Sequence, residues 1–189
     1  ATVFKVPYFG DTVFLAQTWQ LQAEAALFAL EKIYTIAPSF RAEKSKTSRH
    51  LTEYWHAEME VAWGTFDELQ DHAEALLKEI VSRVLDTNKE DLKILERDTK
   101  ILEATTKKTF PRITYDDVLE MLATKAKIRV PWGKDLRTIE EDKLSEMFDT
   151  PVIVTRYPKA VKAFYMKEDP TNPQVVLGFD VIAPEQYGE

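Results

Sequence analysis

One stretch in the first third of the chain concentrates side chains that could bind a charged ligand. Arg41 and Glu43 are two residues apart, so on a strand they would share one face. Further along, Tyr54, His56 and Glu58 alternate with apolar residues, which is the period of a half-buried strand. A guanidinium binds phosphate or carboxylate in a bidentate fork, and an aromatic ring stacks on a base. If the two strands pair, this face predicts a pocket for an anionic, planar, amine-bearing ligand.

The alternation continues to Glu60, while the intervening positions Trp55, Met59 and Trp63 are apolar. We expect that apolar face to pack on a core. An exposed sheet face carrying salt bridges would show the same alternation. From the residues alone, a binding pocket and an ordinary polar face therefore remain equally open.

The loop between the two predicted strands, KSKTSRHLT, is the most basic part of the chain. It has about nine residues, whereas tight hairpins need about two to five, so we expect it to be functional. From position 41 to 50 a single carboxylate faces four cations, which are Arg41, Lys44, Lys46 and Arg49. The whole chain has a net charge of −7, which argues against a general nucleic-acid-coating role. The loop is therefore the predicted place for an anion.

A second candidate site lies near the C-terminal end. Asp180 interrupts the apolar run VVLGFDVIA, and a buried carboxylate is costly unless it is paired, hydrogen-bonded or metal-bound. Glu189 is close in sequence, and carboxylate oxygens suit Mg²⁺, which shares its other ligands with water and substrate phosphates. From this pair alone, an ion pair between Asp180 and a lysine or arginine is the preferred interpretation.

Composition narrows the class of protein. The chain has 189 residues, 44% hydrophobic and 30% charged, which suits a compact globular domain or a large piece of one. It contains no cysteine, so disulfides and thiolate metal sites are excluded and a reducing cytoplasm is compatible. No apolar run approaches the roughly 20 residues of a membrane span. Phosphate-loop, GxGxxG, HExxH and GxSxG motifs are all missing, which excludes classical phosphate-loop enzymes and serine hydrolases.

Hydrophobic patterning predicts the elements that position these residues. Strands are expected at 3–9, 12–17, 33–43, 53–63 and in the runs PVIVTRY, KAFYM and VVLGFDVIA. Helices are expected at 20–31, 66–86, 114–124 and 138–148, with a short one at 89–96 inside an irregular segment. Capping boxes at Thr65 and Thr114 mark two helix starts. Because no βαβ rhythm is present, the fold class is α+β.

The same patterning predicts which side chains are buried. In the first helix the core stripe should be Leu21, Ala25 and Phe28, at helical spacing. The helix at 66–86 should bury its apolar stripe, which is Leu69, Ala73, Leu76, Leu77, Ile80, Val84 and Leu85. We expect most of the four tryptophans to lie in the core. His72, on the same helix, is expected at or near the surface.

The run FRAEKSKTSRHLTEYWHAEMEVAW, within about 38–63, resembles motif 2 of the class II aminoacyl-tRNA synthetases in the aspartate/asparagine branch. The resemblance is carried by FRAE, RHL, a glutamate followed by an aromatic, and two carboxylates at i and i+2. Upstream, YFGDTVFLAQTWQLQAE resembles the substrate-binding segment of that branch. Downstream, YPKAVKAFYM and FDVIAPEQYGE resemble strands that lead to motif 3. The nearest family is asparaginyl-tRNA synthetase, and the implied fold is an antiparallel sheet flanked by helices.

The resemblance implies a role for each candidate residue. Arg41 would be the catalytic residue, contacting the α-phosphate of ATP and stabilising the pentacoordinate transition state by charge. The residues implied in ATP binding are Arg41, Glu43, Arg49, His50 and Tyr54. Those implied in amino-acid binding are Gln20, Glu24, His56 and Glu58. Asp180 and Glu189 would hold Mg²⁺ between the ATP phosphates.

One position favours asparagine over aspartate as the substrate. In the aspartate enzymes, the helix after the QSPQ motif carries a lysine that pairs with the substrate carboxylate. The matching position here is Ala23, followed by Glu24. Without that cation a charged side chain lacks its partner, so the neutral amide is the better fit.

The implied function is a ligase of protein biosynthesis that activates asparagine with ATP and transfers it to the 3′ end of tRNA(Asn). Residues 1–189 are expected to be the central part of a catalytic domain, without motif 1, motif 3 or the anticodon-binding domain. The parent enzyme is expected to be a cytoplasmic homodimer with no membrane association. Two alternatives stay open: an asparagine synthetase that amidates aspartyl-adenylate with ammonia, and a non-catalytic fragment that binds nucleotide or tRNA.

Overall fold

The computed structural model of the chain describes residues 3–44 and 50–184. It is an α+β fold that divides into two compact units, Ala1–Gly64 and Thr65–Glu189. No Pro/Gly-rich linker marks this boundary in the sequence, so it is a feature that only the structure reveals. In the described part of the chain, no helix has the length and apolarity needed to cross a bilayer.

The first unit consists of two antiparallel hairpins and one helix. In chain order its elements are β1 (Lys5–Tyr8), β2 (Asp11–Phe14), α1 (Gln20–Leu30), β3 (Lys32–Phe40) and β4 (Glu53–Val61). The β1–β2 turn has positive φ at Phe9 (46°) and Gly10 (93°), as type I′ hairpin turns require. Strands β3 and β4 pair antiparallel over nine residues each. Both predicted hairpins and the predicted helix are confirmed.

The apolar face of β4 is exposed, so the prediction that it packs on a core is wrong. Trp55 is 72% and Met59 44% exposed, whereas Tyr54, His56 and Glu58 on the other face are half-buried. The physical reason is the position of α1, which contacts both β3 and β4. The segment leading into that helix donates hydrogen bonds to Glu58. The polar side of the hairpin is therefore the side that is covered.

The predicted core stripe of α1 is also wrong. Leu21 and Phe28 are 76% and 90% exposed, and the buried residue of the helix is Ala23 at 1%. A methyl side chain lets the helix approach the sheet closely, which a leucine on that face would prevent. The tryptophans are not mostly core either, since Trp63 is 89% and Trp132 48% exposed.

The second unit contains the remaining elements. They are α2 (Phe66–Thr87), α3 (Lys89–Ile94), α4 (Lys100–Lys107), β5 (Arg112–Thr114), α5 (Tyr115–Met121), α6 (Thr138–Ser145), β6 (Val152–Thr155), β7 (Glu168–Asp169), β8 (Asn172–Val176) and β9 (Phe179–Ile182). Strand β6 pairs parallel with β5 and antiparallel with β9, and β7 pairs antiparallel with β8. The core of this unit packs α5, α6 and a π-helical turn at Leu122–Ala126 against β6 and β9.

Both predicted capping boxes are confirmed. The Thr65 side chain accepts from the backbone N–H of Glu68 at 3.2 Å, and Thr114 does the same for Asp117. The predicted stripe of α2 is right only in part, because Leu76 is 53% exposed while Glu74 is buried. Glu74 has partners that make its burial tolerable, since the Phe110 N–H donates to it at 3.2 Å and Lys78 lies 2.7 Å away.

Two element predictions fail. The run KAFYM is not a strand but follows a 3₁₀ turn at Lys159–Val161, and its aromatic Phe164 is 94% exposed. The segment predicted as mostly irregular contains the additional helix α4. Its Glu103–Lys107 ion pair at 3.2 Å has the i,i+4 spacing that supports an exposed helix.

Candidate active site

The pairing of β3 with β4 gathers the predicted binding residues on one face. Tyr54 lies opposite Ser39, His56 opposite Ala37, and Glu58 opposite Thr35. Directly paired residues in an antiparallel sheet point to the same side. The two-residue spacing in β4 and the register with β3 therefore place ring, imidazole and carboxylate side by side.

Arg41 continues this face beyond the end of β3. Its backbone N–H donates to the Thr52 carbonyl at 2.9 Å, which extends the pairing by one step. The guanidinium carbon lies 6.0 Å from the centre of the Tyr54 ring, at the outer limit of a cation–π contact. Its Nε is buried and has no hydrogen-bond partner among the described residues. A buried donor without a partner is unfavourable, and a bound anion would satisfy it.

The Glu58 carboxylate is held by the segment that precedes α1. The Thr18 hydroxyl donates to its Oε1, and the Trp19 N–H donates to its Oε2 at 3.3 Å. The Gln20 N–H in turn donates to the Thr18 hydroxyl at 3.1 Å. The Glu58 side chain is only 12% exposed. It is thus a positioned acceptor, which is what recognition of an ammonium group needs.

His56 lies between two polar groups of the same face. Its Nδ1 is 3.1 Å from the Ser39 Oγ and 3.3 Å from the Glu58 Oε2. Its ring centre is 5.3 Å from that of Tyr54. The contacts tie β3, β4 and the segment before α1 into one polar cluster.

Negative charge accumulates beside this cluster. Partial burial raises the pKa of Glu60 above its ordinary value, and repulsion from Glu24 and Glu58 raises it further. The Gln20 amide donates to Glu24, one turn further along α1, at 3.2 Å. A region rich in carboxylates next to an arginine can bind a molecule that carries both a cation and an anion.

The remaining predicted residues of the first unit lie at its edge or outside the described ranges. Glu43 and His50 are exposed and flank the loop. Arg49, proposed for the γ-phosphate, lies outside the described residues, as does Glu189, proposed for Mg²⁺.

Asp180 lies on β9 of the second unit, where it forms an ion pair. The Lys162 ammonium donates to its Oδ2 at 2.7 Å and stands 4.0 Å from the centre of the Tyr157 ring. Burial raises the pKa of Tyr157, and the adjacent Asp180 charge adds to this. This is the ion pair that the residues alone favoured for Asp180.

The described residues do not by themselves assemble a magnesium site. Within residues 3–44 and 50–184, no three His, Asp or Glu side chains cluster so that they could hold a metal ion. Asp180 has the right oxygen chemistry, but Lys162 occupies its carboxylate.

Two polar residues of the site could not be singled out from the sequence. Thr18 is a hydroxyl residue in a short glutamine-bounded segment, and only the backbone path to Glu58 reveals its contact. Ser39 lies on β3 and is 2% exposed, in a position that a small residue commonly fills. The one signal was the two-residue spacing of Ser39 from Arg41, which places both on the same face.

Comparison with known proteins identifies the family. Residues 1–188 match the model described as tRNA synthetases class II (D, K and N), and the chain belongs to this family. It is 48% identical over 189 residues to an asparagine–tRNA ligase of Thermoplasma acidophilum, covering 100% of this chain and 44% of that protein. A Koribacter versatilis asparagine–tRNA ligase is also 48% identical, over 194 residues, with the same coverage.

Solved structures agree with this assignment. Asparaginyl-tRNA synthetase from Pyrococcus horikoshii in complex with asparaginyl-adenylate superposes with a TM-score of 0.93 at 47% identity, covering 100% of this chain and 43% of that one. The predicted resemblance and the α+β class are thus confirmed. The chain spans less than half the length of these relatives.

Proposed function

We propose that the chain forms the asparagine- and ATP-binding part of an asparagine–tRNA ligase. The observation that carries the proposal is the convergence of Arg41, Tyr54 and Glu58 on one face of the β3–β4 hairpin. An aminoacyl-adenylate requires three kinds of group. These are an aromatic ring to stack on the base, a guanidinium to bind the phosphate, and a positioned carboxylate to bind the ammonium group. The similarity to asparagine–tRNA ligases supports the same substrates.

In the proposed reaction a carboxylate oxygen of asparagine attacks the α-phosphorus of ATP, and pyrophosphate leaves. Arg41 stabilises the negative charge that develops on the α-phosphate oxygens. Tyr54 stacks on adenine, and Glu58 with His56 beside it orients the α-ammonium group. Catalysis is then positioning and charge stabilisation, without a covalent bond to the protein. In the second step, a hydroxyl of the terminal ribose of tRNA(Asn) attacks the activated carbonyl, and AMP leaves.

The charges around α1 favour asparagine over aspartate. Ala23 is buried and offers no cation, while Glu24 and Glu58 both raise the pKa of Glu60. A second carboxylate on the substrate would add repulsion to this cluster, whereas an amide N–H can donate to it. Glu24 and Gln20, paired at 3.2 Å, are the proposed contacts of the side-chain amide.

Four further assignments are proposed from the family resemblance. Glu43 would contact the adenine side or the tRNA end, and Arg49 and His50 the γ-phosphate. Asp180 and Glu189 would be the Mg²⁺ ligands. The parent enzyme would be a cytoplasmic homodimer, which analytical ultracentrifugation of the full-length gene product tests.

Amino-acid-dependent exchange of pyrophosphate into ATP tests the function of the full-length gene product. Asparagine should support exchange, and aspartate at equal concentration should not. Exchange with aspartate alone would refute the proposed substrate. Formation of free asparagine from aspartate, ATP and ammonia without tRNA would instead establish an amidating enzyme.

A binding role without turnover is the second candidate. Calorimetry with ATP, together with the exchange assay, should separate this binding role from catalysis. If the 189-residue chain binds ATP but shows no exchange, while the full-length product does both, this part binds and the remainder completes the active site. If both bind ATP and neither exchanges, the binding role holds for the whole protein.

A further inference from the structure

A single nitrogen of His56 faces two oxygens. Its Nδ1 lies 3.1 Å from the Ser39 hydroxyl and 3.3 Å from a carboxylate oxygen of Glu58. Ser39 is 2% exposed, so water does not replace its hydroxyl on this side of the ring. The protonation state of Nδ1 must therefore be compatible with a hydrogen bond to each of these two oxygens.

The carboxylate decides where the ring proton lies. Glu58 already accepts from the Thr18 hydroxyl and from the Trp19 N–H, so it acts as an ionised acceptor. An ionised carboxylate has no proton to donate. A bare Nδ1 would turn its lone pair toward that negative oxygen, whereas an Nδ1–H would donate to it. A hydroxyl can either donate or accept, so Ser39 adapts to whichever form the carboxylate selects.

We infer that Glu58 and Ser39 hold neutral His56 as the Nδ1–H tautomer, which leaves Nε2 as a hydrogen-bond acceptor for a ligand. Among the described residues on this face, Glu58 contacts the ring, the Tyr54 phenol lies beside it, and the Arg41 guanidinium lies beyond Tyr54. Of these, the carboxylate alone is in direct contact with a ring nitrogen. His56 is thus a positioned acceptor, with Ser39 and Glu58 as its positioning residues.

An acceptor nitrogen beside a carboxylate has a consequence for selectivity. It can accept from an ammonium or amide N–H, and it is repelled by the oxygens of a second carboxylate. Here the inference rests on the proposed function, because only that supplies asparagine as the ligand. The tautomer itself follows from the contacts in the protein and can be measured without any substrate.

Long-range ¹H–¹⁵N correlation spectra of the histidine-labelled chain test the tautomer. The protein has three histidines, and His56→Gln assigns the signals of this one. The spectra are recorded at pH 8. We expect a protonated Nδ1 and an unprotonated Nε2, the reverse of the form that neutral imidazole prefers in water. A protonated Nε2, with or without a proton on Nδ1, would overturn the inference.

Two substitutions then test whether Glu58 sets the tautomer of His56. In Glu58→Gln the amide can donate to Nδ1, so the Nε2–H form should become the major one. Glu53→Gln, an exposed residue at the start of the same strand, is the matched control and should leave the His56 signals unchanged. If Glu58→Gln keeps the Nδ1–H form, Glu58 does not set the tautomer. The wild-type spectrum decides the main claim even if a variant folds poorly, and it does so independently of the pyrophosphate exchange assay.

Discussion

Arg41 is the residue on which the proposed chemistry depends most. Its Nε is buried without a hydrogen-bond partner in the described part of the chain, and its guanidinium lies beside the Tyr54 ring. A donor held ready in this way can meet the charge that develops on the α-phosphate without reorganisation.

The first prediction is therefore that Arg41→Ala lowers the rate of asparagine-dependent pyrophosphate exchange by about 10²–10³-fold, as loss of one preorganised donor typically does. Arg41→Lys should recover only part of this, because an ammonium cannot reproduce the bidentate fork. Arg83→Ala removes an exposed arginine of α2 and is the control. Equal rates for wild type and Arg41→Ala would remove Arg41 from the mechanism.

Glu60 provides a prediction about pH. Because its folded-state pKa is raised, the native state binds its proton more tightly than the unfolded state does. The ionised carboxylate therefore costs stability at neutral pH, and this cost disappears as pH falls below the ordinary value of 4.5.

Glu60→Gln should consequently raise the melting temperature at pH 7, and only by a small amount, because solvent screens the partly exposed carboxylate. Near pH 4 the variant and the wild type should have the same melting temperature. Glu53→Gln should have the wild-type melting temperature at both pH values, since Glu53 is exposed. A destabilised variant at pH 7 would mean that Glu60 makes favourable contacts as an anion.

Residue types and spacing predicted part of this site. The two-residue alternation of Tyr54, His56 and Glu58 placed them on one face, and the register of β3 with β4 bears this out. Their ligands remain a proposal. Thr18 and Ser39 could not be predicted, because a hydroxyl residue has no periodicity of its own and its hydrogen-bond partner is set by the tertiary path of the chain.

At the scale of elements, α2 is stabilised at its start by the Thr65 capping box. The Glu68 carboxylate accepts from the Thr65 N–H at 2.8 Å while the Thr65 side chain accepts from the Glu68 N–H. Thr65→Ala should lower the free energy of unfolding by about 1 kcal/mol, within the usual range of roughly 0.5–2.

Urea unfolding followed by circular dichroism measures this difference. Thr65→Ser keeps the side-chain acceptor and should remain near wild type. If serine and alanine destabilise equally, the methyl group of Thr65 matters and the cap does not.

Element predictions succeeded where capping signals and periodicity agreed, as in α2 and α5. They failed for KAFYM, whose consecutive apolar and aromatic residues indicate a strand. In the structure Lys162 of that run turns to Asp180 at 2.7 Å, and the Met166 N–H closes a turn on the Ala163 carbonyl at 3.1 Å. A tertiary ion pair and a local turn thus override the pattern.

At the scale of the whole molecule, the apolar side of β3–β4 stands out. Tyr34, Ile36 and Trp55 are 77%, 63% and 72% exposed, and the register places them on the same side of the hairpin. Contiguous exposed apolar surface of this kind promotes association. Burial could not be predicted from alternation alone, because a period of two shows that the faces differ but not which one is covered.

We therefore predict that the 189-residue chain binds the dye ANS and associates with rising concentration. The double substitution Ile36→Thr with Trp55→Thr should reduce both by at least about half, because it removes two of the large apolar side chains of the patch. Phe164→Ser removes an aromatic residue of the second unit that is even more exposed, at 94%, and is the control. Unchanged dye binding and light scattering in the double variant would show that this face does not drive association.

The binding of two non-hydrolysable adenylate analogues to the full-length gene product tests the proposed site most directly. One carries an asparaginyl group and the other an aspartyl group, and isothermal titration calorimetry gives both dissociation constants. The asparaginyl compound should bind at least about 100-fold more tightly, because the aspartyl carboxylate would meet the carboxylates around Glu58 without a compensating cation. Equal affinities, or tighter binding of the aspartyl compound, would contradict the assignment of Arg41, Tyr54 and Glu58 to an asparaginyl-adenylate site.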